Sequence, residues 1–286
     1  LNFDLGFKKD VDIRKSVERV KDADIVIFAS GISPSLEGEE MGVNLPGFKK
    51  GDRTDIELPA VQRELIDALH RAGKKIILVN CSGSPIGLEP ETQKCEAILQ
   101  AWYPGQQGGT AVAEVLFGDY NPAGKLPVTF YRNVSQLPDF EDYNMAGRTY
   151  RYMQDVPLFP FGYGLSYTTF GYGKTVLDKN ELTAGQSLKL TVPVTNTGKR
   201  NGEEVVQVYL RKQGDAEGPI KTLRAFKRVS IPAGKTVNVE FDLKDKELEW
   251  WDDQSNTVRV CPGSYDIMVG GSSKEEDLQR TTVAIK

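Results

Sequence analysis

The 286-residue chain is 39% hydrophobic and carries 36 basic against 40 acidic residues, a formal charge of −4. Spread evenly, that balance offers no basic stripe to neutralise phosphates, so neither nucleic acid nor an anionic membrane is an expected partner. No apolar run approaches the roughly 20 residues needed to cross a bilayer, and the length accommodates two domains with separate cores.

The chain opens at Leu1 without methionine and moves at once into an amphipathic segment, so a leader or a whole domain is expected upstream. From Asp10 to about Phe130 helical periods alternate with short apolar runs. Ile13, Val17 and Val20 are spaced for a helix, Ile25 to Ala29 for a buried strand, and Ile76 to Val79 for another. A helix is predicted between them, opened by Pro59 and closed at Gly73. This βαβ order predicts a mostly parallel sheet covered by helices, with ligands beyond the carboxyl ends of its strands. Ala97-Ile98-Leu99 reads as a further strand, then a glycine-rich loop from Trp102 to Gly109, then a helix through Val112, Val115 and Leu116. Leu126 to Phe130 reads as an edge strand ending the sheet. Between Tyr131 and Gly173 periodicity gives way to tyrosine, phenylalanine, proline and glycine, which predicts an ordered linker packed on a domain surface. After Lys174 strict alternation begins, as in Leu188, Leu190, Val192, Val194 and in Val237, Val239, Phe241, Leu243, predicting half-buried antiparallel strands of a small β-sandwich. The expected domains are 1–131, an ordered linker 132–173, and 174–286.

Chemistry concentrates in the loop after the first strand, where Glu37, Glu39 and Glu40 fall within four residues and Gly51-Asp52-Arg53 closes the excursion. Crowded, partly buried carboxyls raise one another's proton affinity, which suits a proton donor near neutral pH. The competing reading is a solvated acidic loop held by Arg53, Lys49 and Lys50. Other chemistries lack their residues. Cys81, Cys95 and Cys261 fit no metal spacing and read as buried, inert thiols. The single histidine, His70, falls among Val61, Leu65, Ile66 and Leu69 of the predicted helix and is poorly placed for a nucleophilic triad. Neither cofactor nor metal is expected. The Gly105 to Gly109 loop lacks the lysine and serine order of a phosphate loop, so a structural turn competes there with nucleotide binding. Trp250 and Trp251 suggest an exposed sugar-stacking face, but adjacent residues in a strand point to opposite sides, so at least one of them reads as core.

Several segments, in order, resemble the second half of glycoside hydrolase family 3, the retaining β-glucosidases and β-xylosidases. They are Leu36-Glu37-Gly38-Glu39 with Gly51-Asp52-Arg53, Leu58 to Gln62, Trp102 to Gly109, Gly118 to Pro127, Pro160 to Tyr167, and Asn196-Thr197-Gly198. The resemblance implies an α/β sandwich domain followed by a fibronectin type III-like β-sandwich, with an N-terminal (β/α)8 barrel that this chain lacks. It further implies a nucleophilic aspartate on that barrel, and a general acid/base glutamate on the acidic loop: Glu39, with Glu37 the runner-up and Glu40 third. Retaining glycosidases need both carboxyls about 5 to 5.5 Å apart, so this chain alone is expected to be inactive. The insertion from Met41 to Lys50 departs from the family's commonest spacing and leaves the choice among the glutamates open. The implied partners are an oligosaccharide or aryl β-glycoside and the barrel; the implied location is the periplasm or the cell exterior. The Leu-Glu-Gly-Glu form leans toward β-xylosidases. The alternative is a stand-alone carbohydrate-binding or scaffolding module.

Overall fold

The computed structural model describes residues 11–37, 40–50 and 52–286, the side chain of Asn44 excepted. It parts the chain into two compact units: Leu1–Leu116 with Phe130–Phe140, and Phe117–Thr129 with Glu141–Lys286.

In the first unit α1 (Ile13–Arg19) is capped by Asp12, whose carboxylate accepts the Lys15 N–H at 2.9 Å. β1 (Ile25–Gly31) follows, then three two-residue strands, β2 (Asn44–Leu45), β3 (Phe48–Lys49) and β4 (Asp52–Arg53), which form an antiparallel meander inside the acidic excursion. α2 (Ala60–Arg71) ends in a Schellman turn: Gly73 at φ 72° donates to His70 O, and Lys74 donates to Leu69 O. β5 (Lys75–Cys81), α3 (Glu89–Thr92), β6 (Ala97–Gln100) and α4 (Gly108–Phe117) complete it. The sheet runs β1-β5-β6, wholly parallel, with Phe28 beside Leu78 and Leu78 beside Ile98. Ile76 and Leu78 are sealed from solvent, as are Leu65, Ile66 and Leu69 of α2, which packs on β5. Coverage is less complete than apolar strands predict, because Ile25 and Ile27 are half exposed. His70 stands exposed on the last turn of α2.

The predicted edge strand at Leu126 to Phe130 does not form: these residues are outside the α/β sheet. Leu126 spends both backbone groups on another segment, donating to Tyr163 O and accepting from Gly162 N, each at 2.8 Å. Pro127 then supplies no donor to extend a ladder.

In the second unit the segment from Glu141 carries the short α5 (Thr149–Tyr152). Two antiparallel layers follow, as the alternation predicts. One joins β7 (Phe170–Tyr172), β8 (Val176–Leu177), β10 (Leu188–Asn196) and β13 (Thr236–Leu243). The other joins β9 (Glu181–Leu182), β11 (Gly202–Lys212), β12 (Thr222–Ile231), β16 (Gly263–Gly270) and β17 (Gln279–Ile285), with β9 the parallel edge. α6 (Asp245–Leu248) leads to the hairpin of β14 (Trp250–Asp252) and β15 (Thr257–Arg259). Inward residues of both layers, including Leu190, Val192, Val208, Leu210 and Ile267, make one core. β11 is buried on both faces. Tyr150 and Phe161 stack at 4.3 Å between centroids, and both meet Tyr209 edge-on. Gln207 is tied to Gly162 O at 3.1 Å and Gly271 O at 2.6 Å. Gly162, at φ 77°, leaves no room for a Cβ against Gln207. Asn196 of the Asn-Thr-Gly motif is fully buried and bonds the backbone of Arg200, Ile231 and Gly198, so the motif is a structural staple. As the strand geometry requires, Trp250 is buried and donates to Asp215 at 2.6 Å, while Trp251 is half exposed.

Candidate active site

The three parallel strands deliver three loops to one edge of the sheet, and a single carboxylate ties them together. β1 ends at Gly31, whose φ of 119° and closeness to Cys81 O exclude any side chain. Gln62 grips that glycine from α2, donating to its carbonyl at 2.7 Å and accepting its N–H at 3.0 Å. The chain then turns. Leu36 and Glu37 both donate to Ser33 O, which buries Leu36 and sets Glu37 over the strand ends. The Glu37 carboxylate accepts the Gly83 N–H at 2.8 Å and the Ser84 hydroxyl, both from the loop after β5. It also accepts the Tyr103 phenol, from the loop after β6.

Each donor is itself held. Ser84 Oγ accepts Arg53 Nη1 at 3.2 Å, and Arg53 Nε reaches Asp55 O at 2.8 Å with the guanidinium over the Phe48 ring. Burial pulls the Arg53 guanidinium below its ordinary pKa, against the opposing fields of Glu37 and Asp55. The 82–84 turn rests on a buried polar layer. Asn80 bonds Gln100 at 2.6 Å and Ser82 at 3.1 Å, and Ser82 bonds Ser84 O at 2.8 Å. Trp102 takes a left-handed conformation, φ 55°, and packs edge-on against Phe130; this kink turns Tyr103 toward Glu37. Burial, and then the bond to Glu37, push the Tyr103 phenol well above its ordinary pKa, so it stays a donor.

Beside this cluster Arg63 holds the fully buried Glu91 with two bonds, at 2.8 and 3.0 Å. The same guanidinium reaches Glu57 at 2.5 Å and Gly87 O at 2.9 Å. An open groove of about 450 Å³ is lined by Phe48, Arg53, Asp55, Glu57, Leu58 and Arg63.

Of the glutamates singled out in sequence, Glu37 is thus brought into a built cluster, with both carboxylate oxygens occupied as acceptors. Glu40 is exposed, at φ 53°. Glu39 lies outside the described residues, as do Gly38 and Gly51. Lys49 and Lys50 are exposed, so of the cations expected to hold the loop only Arg53 joins the cluster. Sequence reasoning marks the loops from Cys81 and from Trp102 as strand ends, but not Gly83, Ser84 or Tyr103 within them. The thiols are less sealed than expected, since only Cys261 is buried. Burial lifts the pKa of the half-buried Cys81, and burial with the Glu91 charge pushes Cys95 up to about 11. No group of three or more potential metal ligands occurs among the described residues, nor a helix long and apolar enough to cross a membrane.

Residues 6–167 match the Glycosyl hydrolase family 3 C-terminal domain, and residues 204–273 a Fibronectin type III-like domain. The chain is 55% identical, over its whole length, to a xylan 1,4-beta-xylosidase of Xylanibacter ruminicola, of which it covers 33%. It is 36% identical to a periplasmic beta-glucosidase of Salmonella typhimurium across 91% of its own length and 34% of that protein. Among solved structures, a β-glucosidase of Erythrobacter marinus superposes with a TM-score of 0.83 at 38% identity, covering 96% of this chain and 36% of that one. A family 3 β-glucosidase of Bifidobacterium adolescentis gives the same score at 30% identity, covering 98% and 42%. The chain therefore spans about a third of the length of the curated relatives it matches. It belongs to glycoside hydrolase family 3, as that family's C-terminal α/β domain joined to a fibronectin type III-like domain.

Proposed function

We propose that this chain is the C-terminal portion of an exo-acting, retaining β-glycosidase that cleaves β-xylosides, and that it supplies the general acid/base, Glu39, to a site completed by a barrel domain bearing the nucleophile. The carrying observation is the state of Glu37. Its two oxygens accept hydrogen bonds from three groups, which suits an anchor better than a group that must give and retake a proton at the glycosidic oxygen. Glu39 follows two residues later, on a loop rooted at the carboxyl ends of parallel strands, where α/β sheets place their chemistry. In the proposed reaction Glu39 protonates the departing oxygen as the barrel carboxylate attacks the anomeric carbon. It then removes a proton from the water that releases the sugar. The β-xyloside preference rests on 55% identity to a xylosidase, against 30 to 38% for the β-glucosidases reported above. Export follows by analogy with the relative named as periplasmic.

The test is Glu39→Gln in the full-length protein. Turnover of the unactivated phenyl β-xyloside, whose leaving group needs a proton, is expected to fall by about 10²- to 10⁴-fold, the usual worth of a general acid. Glycosylation by the dinitrophenyl analogue, which leaves without help, is expected to hold. Near-normal kcat/KM on both substrates would refute the assignment, and normal turnover by the 286-residue chain alone would refute the shared site.

A further inference from the structure

We propose that Glu37 is a positioning residue, which with Ser84, Gly83 and Tyr103 forms a clasp closing the neck of the loop that carries Glu39. This rests on the reading of Glu39 as proton donor. The geometry behind it is that both feet of the excursion meet on one hydroxyl. Glu37, where the chain leaves, accepts from Ser84 Oγ; Arg53, where the chain returns, donates to the same oxygen. The excursion thereby leaves and returns at one anchored point.

The base is rigid for identifiable reasons. Gly83 sits where a Cβ would lie 2.8 Å from both the Glu37 carboxylate and the Tyr103 ring, so its lack of a side chain is what lets both close in on this turn. Ser84 is oriented through Ser82 and Asn80 from the sheet interior. Tyr103 remains protonated across the range in which a glycosidase works, because its pKa is raised. The titratable or charged groups bearing on the clasp are Arg53, Tyr103, Asp55 and Glu57. Arg53 is a fixed cation at any working pH.

The experiment compares Glu37→Gln, Ser84→Ala and Tyr103→Phe with Glu39→Ala in the full-length protein. Two readouts are used. Trypsin cleavage after Lys49 and Lys50, exposed residues inside the loop, reports local opening. Azide added to the dinitrophenyl β-xyloside assay reports loss of the acid/base carboxylate, because the small anion replaces water at the glycosyl enzyme only where that carboxylate is gone. Clasp variants are expected to be cut at least about tenfold faster at Lys49 and Lys50, since each weakens the bonds that hold the loop's base. They are expected to lose about 10- to 100-fold in kcat with little change in KM, as misplacement of a reacting group does. Azide is expected to leave them unaffected and to accelerate Glu39→Ala.

Wild-type kcat and cleavage rates in the clasp variants would overturn the proposal. Azide rescue of Glu37→Gln would also overturn it, by making Glu37 the donor, while leaving a donor on this loop. Full activity of Glu39→Ala would instead sink the reading on which it rests. Should Glu37→Gln fail to fold, Ser84→Ala and Tyr103→Phe, which remove a single hydroxyl each, decide the matter by the same two readouts.

Discussion

The clasp makes a sharp demand on Gly83. An alanine methyl there would lie 2.8 Å from Glu37 Oε2 and 2.8 Å from a ring carbon of Tyr103. Non-bonded carbons rest at about 3.5 to 4.0 Å, so one partner must move by more than half an ångström. Moving the carboxylate strains its bond to the Gly83 N–H, 2.8 Å long. Overpacking costs about 1 to 3 kcal/mol, and a hydrogen bond to a charged group contributes about 1.5 to 3. Both groups are partly solvated and relax, so we expect Gly83→Ala to destabilise the α/β unit by about 2 kcal/mol, a factor of about 30 in its unfolding equilibrium. Urea unfolding followed through Trp102, the one tryptophan in the sequence of that unit, measures it. The decisive form is a double-mutant cycle with Tyr103→Ala. Deleting the ring makes space for the methyl, so the two changes should be non-additive by about 1 kcal/mol or more. Additivity within about 0.5 kcal/mol would show that the ring and the methyl never compete.

Arg63→Ala should leave the solvent-free Glu91 without its counter-charge and cost about 3 to 5 kcal/mol, lowering the urea midpoint of the Trp102 transition while the β-sandwich transition stays in place. A shift below about 1 kcal/mol would mean that Glu91 finds another partner or protonates without penalty. Trp250→Ala should cost the β-sandwich about 3 to 5 kcal/mol and Trp251→Ala about 0.5 or less, as calorimetry of the two variants would show. Equal losses would mean that both rings serve the core. Cys95, with its thiol pKa pushed up to about 11, should alkylate with iodoacetamide about 100-fold more slowly than a free thiol at pH 8. The sign is fixed by which form reacts: only the thiolate does, so the rate should climb with pH until about 11. A rate that levels off near pH 9 would count against this burial.

What the sequence discloses is whatever periodicity or local chemistry controls. α2 is readable at both ends because Pro59 and Gly73 act within one turn of it, and the sandwich strands because each alternates against a single core. Leu126 to Phe130 misleads because Val-Thr-Phe has strand composition, while the fate of Leu126 is set by Tyr163 and Gly162, far along the chain. The β2–β4 meander is invisible for the opposite reason, since its strands are two residues long and carry no period. The candidate site divides in the same way. A crowd of glutamates at a strand end is a local signal, and it draws attention to the loop that the structure roots on the sheet through Glu37. The character of Glu37 depends on Tyr103, 66 residues away, and on the left-handed turn at Trp102 that aims it. Nothing in the string Leu-Glu-Gly-Glu separates one glutamate from the next; the proposed anchor role of Glu37 rests on its partners.

A proton donor at Glu39 of this chain, with the nucleophile elsewhere in the full-length enzyme, has a signature in the product that full-length Glu39→Ala forms from dinitrophenyl β-xyloside in the presence of azide. The rate should rise with azide and the β-configured xylosyl azide should accumulate, retained at the anomeric carbon because the barrel nucleophile still inverts once before azide inverts again. Free xylose released at the wild-type rate, indifferent to azide, would remove Glu39 from the reaction.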